Sequence, residues 1–196
     1  YLIEIGHLRL RFVDDSAPDP AAQALASVAA RPVDQVQVKE GVEDDRTRVV
    51  VGDGRTHLLL SRQLYDVIIS EPSNPWMAGI ASLFTREFFA AARARLAPGG
   101  LLCQWAHTYD MSAADLRSIV ATFLSVFPDG TMWLVGDADV LLVGSTEPLD
   151  ARIDGIGAAM QRPGVAEDLA TVGVRGPFSV ISLFVSQGDA LKAWAD

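Results

Sequence analysis

The 196-residue chain has little cysteine and comparatively few basic residues. Cys103 is its single cysteine, which excludes an internal disulfide and a cysteine-rich metal site. It contains 16 Lys and Arg against 25 Asp and Glu, and the resulting net charge of −9 argues against a nucleic-acid-binding surface. No uninterrupted apolar run reaches the roughly 18 residues of a transmembrane helix. The composition therefore leaves a globular protein that acts on small molecules or on other proteins.

The length and composition predict a domain with a substantial core. Hydrophobic residues make up 49% of the chain and charged residues 21%, which is ordinary for a globular protein. We predict one α/β domain over residues 1–150 and a C-terminal helical extension over residues 151–196 that packs on it. The chain begins at Tyr1 rather than at a methionine, and we expect it to be a fragment of a longer protein.

Short apolar segments alternate with amphipathic ones along the first 150 residues. Strands are predicted at Leu8–Val13, Val33–Val38, Arg48–Val51, Asp66–Ser70, Gly100–Trp105, Thr131–Val135 and Val140–Val143. Helices are predicted at Ala21–Ala30, Thr85–Leu96 and Ser112–Phe127, followed by short helices over Gly155–Asp196. This alternation predicts an α/β fold: a Rossmann-like, mostly parallel sheet of the methyltransferase type with an antiparallel edge hairpin.

Acidic residues follow three of the predicted strands. Glu40, Asp53 and Glu71 each stand at a strand end, where an open α/β sheet binds its ligands. An acid after the second strand suits a ribose diol, one after the third suits an adenine amino group, and one after the fourth can face the reacting atoms. Each alone is more simply a solvated turn residue, but three in succession favour a shared crevice. Glu71 is the candidate general base.

Three blocks of sequence resemble the spermidine synthase family, the polyamine aminopropyltransferases. They are Val49–Arg55 with its Gly-Asp-Gly, the segment from Tyr65 through Phe89, and Leu96–Trp105. The middle block, which includes Glu71-Pro72-Ser73-Asn74-Pro75-Trp76, is the most specific. The similarity runs from about Val33 to Val143 and is closest to bacterial relatives that are often fused to membrane segments.

The resemblance implies a substrate pair and a set of site residues. The donor is decarboxylated S-adenosylmethionine, or S-adenosylmethionine itself, and the acceptor is an amine such as putrescine, with no metal. Glu40 is expected to bind the ribose, Asp53 and Gly54 the adenine, and Glu71 to receive the amine proton. Amine-binding residues are expected at Ser73, Asn74, Gln104 and Tyr109, with His107 nearby. A homodimer in the cytoplasm, or the soluble part of a membrane-fused protein, is also implied.

The sequence departs from the family pattern at three places. The predicted first strand leads into Asp14–Pro20, which lacks the glycines that let a backbone approach a nucleotide. Asn74 stands where the family has an aspartate, and the side chain therefore lacks a charge for an ammonium group. Gly41–Thr47 is too short for a helical crossover between parallel strands. The glycine-free loop keeps open a second hypothesis, a non-catalytic binding module. A third is an amino-group methyltransferase, because Ser73-Asn74-Pro75-Trp76 resembles the Asn/Asp-Pro-Pro-aromatic motif of those enzymes with one proline fewer.

Overall fold

The computed structural model describes residues 2–6, 9–13, 47–72, 75–76 and 79–196. Within these ranges an eight-stranded sheet has the spatial order β3-β2-β1-β4-β5-β7-β6-β8. The strands are β1 (Leu2–Gly6), β2 (Arg9–Val13), β3 (Thr47–Val51), β4 (Tyr65–Glu71), β5 (Leu96–His107), β6 (Thr131–Val135), β7 (Asp139–Ser145) and β8 (Phe184–Gln187).

The sheet is mixed, but five strands run in one direction. β1, β4 and β5 are parallel neighbours, and β3 and β6 share their direction because each lies one antiparallel strand away. The strands β2, β7 and β8 run the opposite way. The carboxyl ends of β3, β4, β5 and β6 therefore meet at one edge, called here the carboxyl edge.

The helices begin where the sequence offers a cap. Asp53 caps α1, Thr85 caps α2 and Ser112 caps α3 by accepting hydrogen bonds from free backbone amides of the first turn. The helical elements are α1 (Gly54–Leu60), a 3₁₀ turn (Ile80–Phe84), α2 (Arg86–Ala94), α3 (Ala113–Leu124), α4 (Asp150–Asp154), α5 (Ile156–Ala159), α6 (Val165–Thr171), α7 (Pro177–Ile181) and α8 (Gly188–Ala195).

The core lies between α2, α3 and α8 and one face of the sheet. Alternate residues of β5 and β7, among them Leu102 and Leu142, are fully buried on that face. Phe89 of α2 packs edge-on against Phe123 of α3, which in turn stacks on Phe127. Burying such aromatic and aliphatic side chains is the main stabilising contribution in this half of the chain.

The α/β class predicted from the sequence is confirmed, but the sheet contains fewer parallel pairs than expected. Only β1–β4 and β4–β5 are parallel among the described pairs. The reason lies in an unpredicted first strand, β1. Two residues separate it from β2, and such a short connection permits only an antiparallel hairpin. The strand predicted at Leu8–Val13 thus runs opposite to both of its neighbours.

Several predicted boundaries also differ. Ala97–Gly100, predicted as a helix stop, lies within β5, where a shift of register against β4 accommodates the extra residues and Gly99 adopts a φ of 68°. The predicted hairpin is present as β6 and β7, but β8 pairs with β6 and occupies the sheet edge. The helix α1 follows Asp53 directly and was not predicted.

Some predictions fall outside the described residues. They are the loop Asp14–Pro20, the helix Ala21–Ala30, the strand Val33–Val38 and the connection Gly41–Thr47. Among the helices of the described part, none combines the length and the apolar character needed to cross a bilayer.

Candidate functional site

The carboxyl edge carries two of the predicted acids, Asp53 and Glu71. Glu71 ends β4 and pairs with Gly6, which pairs through Arg9 with Val51 of β3. Asp53 therefore follows β3 in the same row of the sheet. Two strands lie between β3 and β4, which corresponds to about 14 Å at the usual strand spacing. The two acids share an edge without being neighbours.

Asp53 has a structural role that sequence reasoning did not assign. Its Oδ1 accepts a 2.6 Å hydrogen bond from the backbone N–H of Thr56, and Gly54 is the first residue of α1. The carboxylate is exposed and has a second oxygen that can meet a ligand. Asp53 thus combines a helix cap with a position at the carboxyl edge.

The negative charge of Glu71 acts on the thiol of Cys103 in the neighbouring strand β5. The parallel register pairs Ile69 with Cys103 and Ser70 with Gln104, and its continuation places Glu71 beside Trp105. Burial, and secondarily the negative charge of Glu71, raise the pKa of the Cys103 thiol to about 11. The exposed carboxylate of Glu71 therefore lies on the sheet face that carries Cys103 and Trp105.

Two polar side chains are buried on the opposite, helix-covered face. Ser70 and Gln104 are paired across β4 and β5 and have no exposed surface. Gln104 Nε2 donates to the carbonyl of Trp105 at 3.1 Å, but Gln104 Oε1 and Ser70 Oγ have no hydrogen-bond partner in the described part of the chain. An unsatisfied buried polar atom costs about 1–3 kcal/mol, and such a pair of atoms is suited to binding a polar ligand group or a water molecule.

Four aromatic side chains form a continuous series at the ends of β4 and β5. Ring centroids are 4.0 Å apart for Trp105 and His107, 4.6 Å for His107 and Tyr109, and 5.8 Å for Tyr109 and Trp76. We call these four residues the aromatic array. Its exposed end consists of Tyr109 and Trp76, which have 45% and 47% of their surface accessible.

His107 is held in place by an acid from the neighbouring strand. Its Nδ1 lies 2.6 Å from Asp139 Oδ1, and the two residues are paired between β5 and β7. Thr108 fixes the following turn, since both its backbone N–H and its hydroxyl donate to the carbonyl of Ala138. The Asp139 carboxylate thereby orients the imidazole ring between Trp105 and Tyr109.

The structure brings together part of the predicted site. Glu71 and Tyr109 lie at the carboxyl ends of β4 and β5, and Asp53 with Gly54 lies farther along the same edge. Gln104 is buried on the opposite, helix-covered face of the sheet and does not join them. Glu40, Ser73 and Asn74 lie outside the described residues. Sequence reasoning missed Ser70, Trp76, Trp105 and Asp139. The proximity of Trp76 to the Glu71 motif was the one available signal, because Asp139 reaches His107 only through strand pairing.

Two further observations delimit the site. In residues 47–72, 75–76 and 79–196, no three His, Cys, Asp or Glu side chains form a group that could hold a metal ion.

An open cleft of about 410 Å³ between α2 and α3 is lined by Arg86, Arg93 and Thr146. Thr146 follows β7 at the edge opposite the carboxyl edge. This cleft therefore extends away from Glu71.

The chain is similar to known proteins whose names refer to polyamines or to putrescine. A polyamine aminopropyltransferase of Nitrosomonas europaea is 31% identical over 126 residues, which is 57% of this chain and 38% of that protein. Putrescine N-methyltransferase 2 of Nicotiana tabacum is 33% identical over 85 residues, or 43% of this chain and 24% of that protein. The matched region spans less than two fifths of either relative.

Solved structures and a family model agree with these relatives. A spermidine synthase in complex with the transition-state analogue AdoDATO superposes with a TM-score of 0.51 at 18% identity, covering 63% of this chain and 42% of that one. This likeness shows the fold. The spermine/spermidine synthase domain model matches residues 31–135, more than half of the chain. The chain therefore belongs to the spermine/spermidine synthase family.

Proposed function

We propose that this chain transfers an aminopropyl group from decarboxylated S-adenosylmethionine to an amine such as putrescine. The observation that carries the proposal is the position of Glu71, an exposed carboxylate at the carboxyl end of β4, in a chain of this family. Open α/β sheets bind their ligands at this edge. The proposal extends to the whole reaction although the chain matches only part of its relatives' length.

The reaction is a displacement at carbon. The amine nitrogen donates its lone pair to the methylene carbon next to the sulfonium, forming the new C–N bond. The C–S bond breaks and its electrons return to sulfur, which leaves as the neutral thioether of methylthioadenosine. The alkylated nitrogen then carries a positive charge and releases one proton. Glu71 is the proposed acceptor of that proton and also stabilises the cationic donor.

Binding roles divide along the carboxyl edge in this proposal. Asp53 and Gly54 contact the adenine, and Glu40 the ribose. Tyr109 contacts the amine together with Ser73 and Asn74. Alignment of nitrogen, carbon and sulfur by these contacts supplies much of the expected rate enhancement.

A second function has a specific observation in its favour. Putrescine N-methyltransferase 2 of Nicotiana tabacum is 33% identical to the matched part of this chain, and the aminopropyltransferase of Nitrosomonas europaea is 31% identical. In such a methyltransferase the amine nitrogen also attacks a carbon bonded to the sulfonium. That carbon is the methyl group of S-adenosylmethionine. Glu71 would have the same chemical task in both reactions. The identity of the donor therefore separates the two candidates.

Substitution of Glu71 tests the role of the base. We expect Glu71→Gln to lower turnover about 100-fold or more, because the amide cannot accept the proton, while the melting temperature stays nearly unchanged. The measurement is the initial rate of methylthioadenosine release, together with a thermal melt. Asp66→Asn is the matched control, since Asp66 is an exposed acid near the opposite end of β4. A Glu71→Gln enzyme that retains its rate excludes Glu71 as the base.

A further inference from the structure

The strands and loops that carry the exposed end of the aromatic array contain no basic residues. Residues 63–85, 96–116 and 118–151, which supply β4, β5, β6, β7 and the loops at their carboxyl ends, contain no Lys or Arg. At the carboxyl edge these segments carry the acids Glu71, Asp110, Asp137 and Asp139, whereas Glu147 follows β7 at the opposite edge. Arg117, the cation closest in sequence to Tyr109, lies over the ring of Trp194 at 5.5 Å. The segments that carry Trp76 and Tyr109, and the strands next to them, thus supply acidic side chains and no basic ones.

The two exposed rings present π surfaces beside these acidic segments. Trp76 follows β4 and Tyr109 follows β5, and their planes meet at 81° with centroids 5.8 Å apart. Two rings at nearly right angles form a corner rather than a flat patch. Such a corner attracts a cation through the ring quadrupoles, and indole is the strongest of the natural aromatic side chains in this respect.

The array also fixes the corner relative to the reacting groups. It runs from Trp105, which lies beside Glu71 in the sheet register, through His107 and Tyr109 to Trp76, which follows Glu71 by five residues. His107 is in turn anchored by Asp139. A cation bound at the corner is thus held at a defined distance from the proposed base.

We propose that Trp76 and Tyr109 form a specificity subsite for an alkyl-substituted ammonium group at the non-reacting end of the acceptor amine. This inference rests on the proposed function, because it names the class of amine that the site accepts. A primary ammonium needs hydrogen-bond acceptors for its three N–H donors, whereas an alkylated ammonium has diffuse charge and apolar surface. The alkylated ammonium is therefore the one suited to aromatic ring faces that have carboxylates nearby.

Binding of two amines of equal shape tests the subsite. The cationic probe carries a primary amine at one end and a trimethylammonium group at the other. In the neutral probe, a tert-butyl group replaces the trimethylammonium group. With the full chain and no donor present, we expect calorimetry to show about ten-fold tighter binding of the cationic probe. The preference should disappear in Trp76→Leu and largely persist in Trp76→Phe.

The controls separate this subsite from general effects of tryptophan loss. Trp194→Leu removes a tryptophan of comparable exposure that lies over Arg117, and it should keep the ten-fold preference. Equal binding of the two probes by the unsubstituted protein overturns the proposal, as does failure of the cationic probe to bind. An unchanged preference in Trp76→Leu overturns it too. If the preference behaves as expected but no aminopropyl product forms, the proposed function fails and the subsite stands.

Discussion

At the residue scale, the site depends on contacts between side chains that are far apart in sequence. Glu71 was predicted from its position at a strand end and Tyr109 from the family resemblance, and both lie at the ends of neighbouring strands. The contact of His107 with Asp139 spans 32 residues and could not be predicted. It requires the pairing of β5 with β7, and the register of a sheet is not readable from one strand alone.

Cys103 provides a chemical probe of Glu71. The pKa of its thiol is about 11, against an ordinary value of 9.0, so the thiol is neutral at physiological pH. We expect slow alkylation at neutral pH and a rate that rises until the pH reaches about 11. Glu71→Gln removes a negative charge that disfavours the thiolate. The midpoint should therefore move to lower pH, though it stays above 9.0 because burial is the larger cause.

The measurement is the rate of iodoacetamide labelling as a function of pH, followed by mass spectrometry. Asp66→Asn controls for the general effect of losing one acidic side chain. A midpoint that is the same in Glu71→Gln and in the unsubstituted protein contradicts the placement of Glu71 near Cys103.

At the scale of elements, the periodic segments were the most predictable. The helix predicted at Ser112–Phe127 is present as α3 with Ser112 as its cap, because the apolar spacing and the capping residue agree. β1, α1 and β8 were not predicted. Their segments are short, and each is stabilised by tertiary neighbours: β1 pairs with β2 and β4, β8 pairs with β6, and Arg95 donates a hydrogen bond to the carbonyl of Leu58 in α1. Local sequence carries little of that information.

The packing of β7 on α3 depends on a glycine. A Cβ added to Gly144 would lie 2.5 Å from Phe127 Cγ and 2.9 Å from Phe123 Cζ. These rings are buried and stacked and cannot move freely. We expect Gly144→Ala to lower the free energy of unfolding by about 1–3 kcal/mol, as measured by urea denaturation.

Gly157→Ala is the matched control for this substitution. Gly157 lies in α5, and its added Cβ would meet only Pro177 Cγ at an ordinary 3.5 Å. Alanine favours the helix there, so stability should be unchanged or slightly higher. A Gly144→Ala protein that is as stable as Gly157→Ala would show that α3 and β7 are not packed as described.

At the scale of the whole molecule, the family and the fold class were predictable, whereas the topology of the first half was not. The motifs from Val49 to Trp105 lie within the region that the family model matches. The antiparallel β2 replaces an expected parallel strand, and β1 and β2 lie between β3 and β4. Asp53 and Glu71 consequently stand about 14 Å apart along the edge, a separation compatible with a long donor that extends from adenine to sulfonium.

The donor selected by the protein tests the central claim most directly. The full chain is incubated with putrescine and an equimolar mixture of decarboxylated S-adenosylmethionine and S-adenosylmethionine, and the products are identified by mass spectrometry. The account predicts methylthioadenosine and spermidine in equal amounts, with the decarboxylated donor consumed. Formation of S-adenosylhomocysteine and methylated putrescine would establish the methyltransferase instead. The absence of any product from either donor would contradict an enzymatic role for the chain.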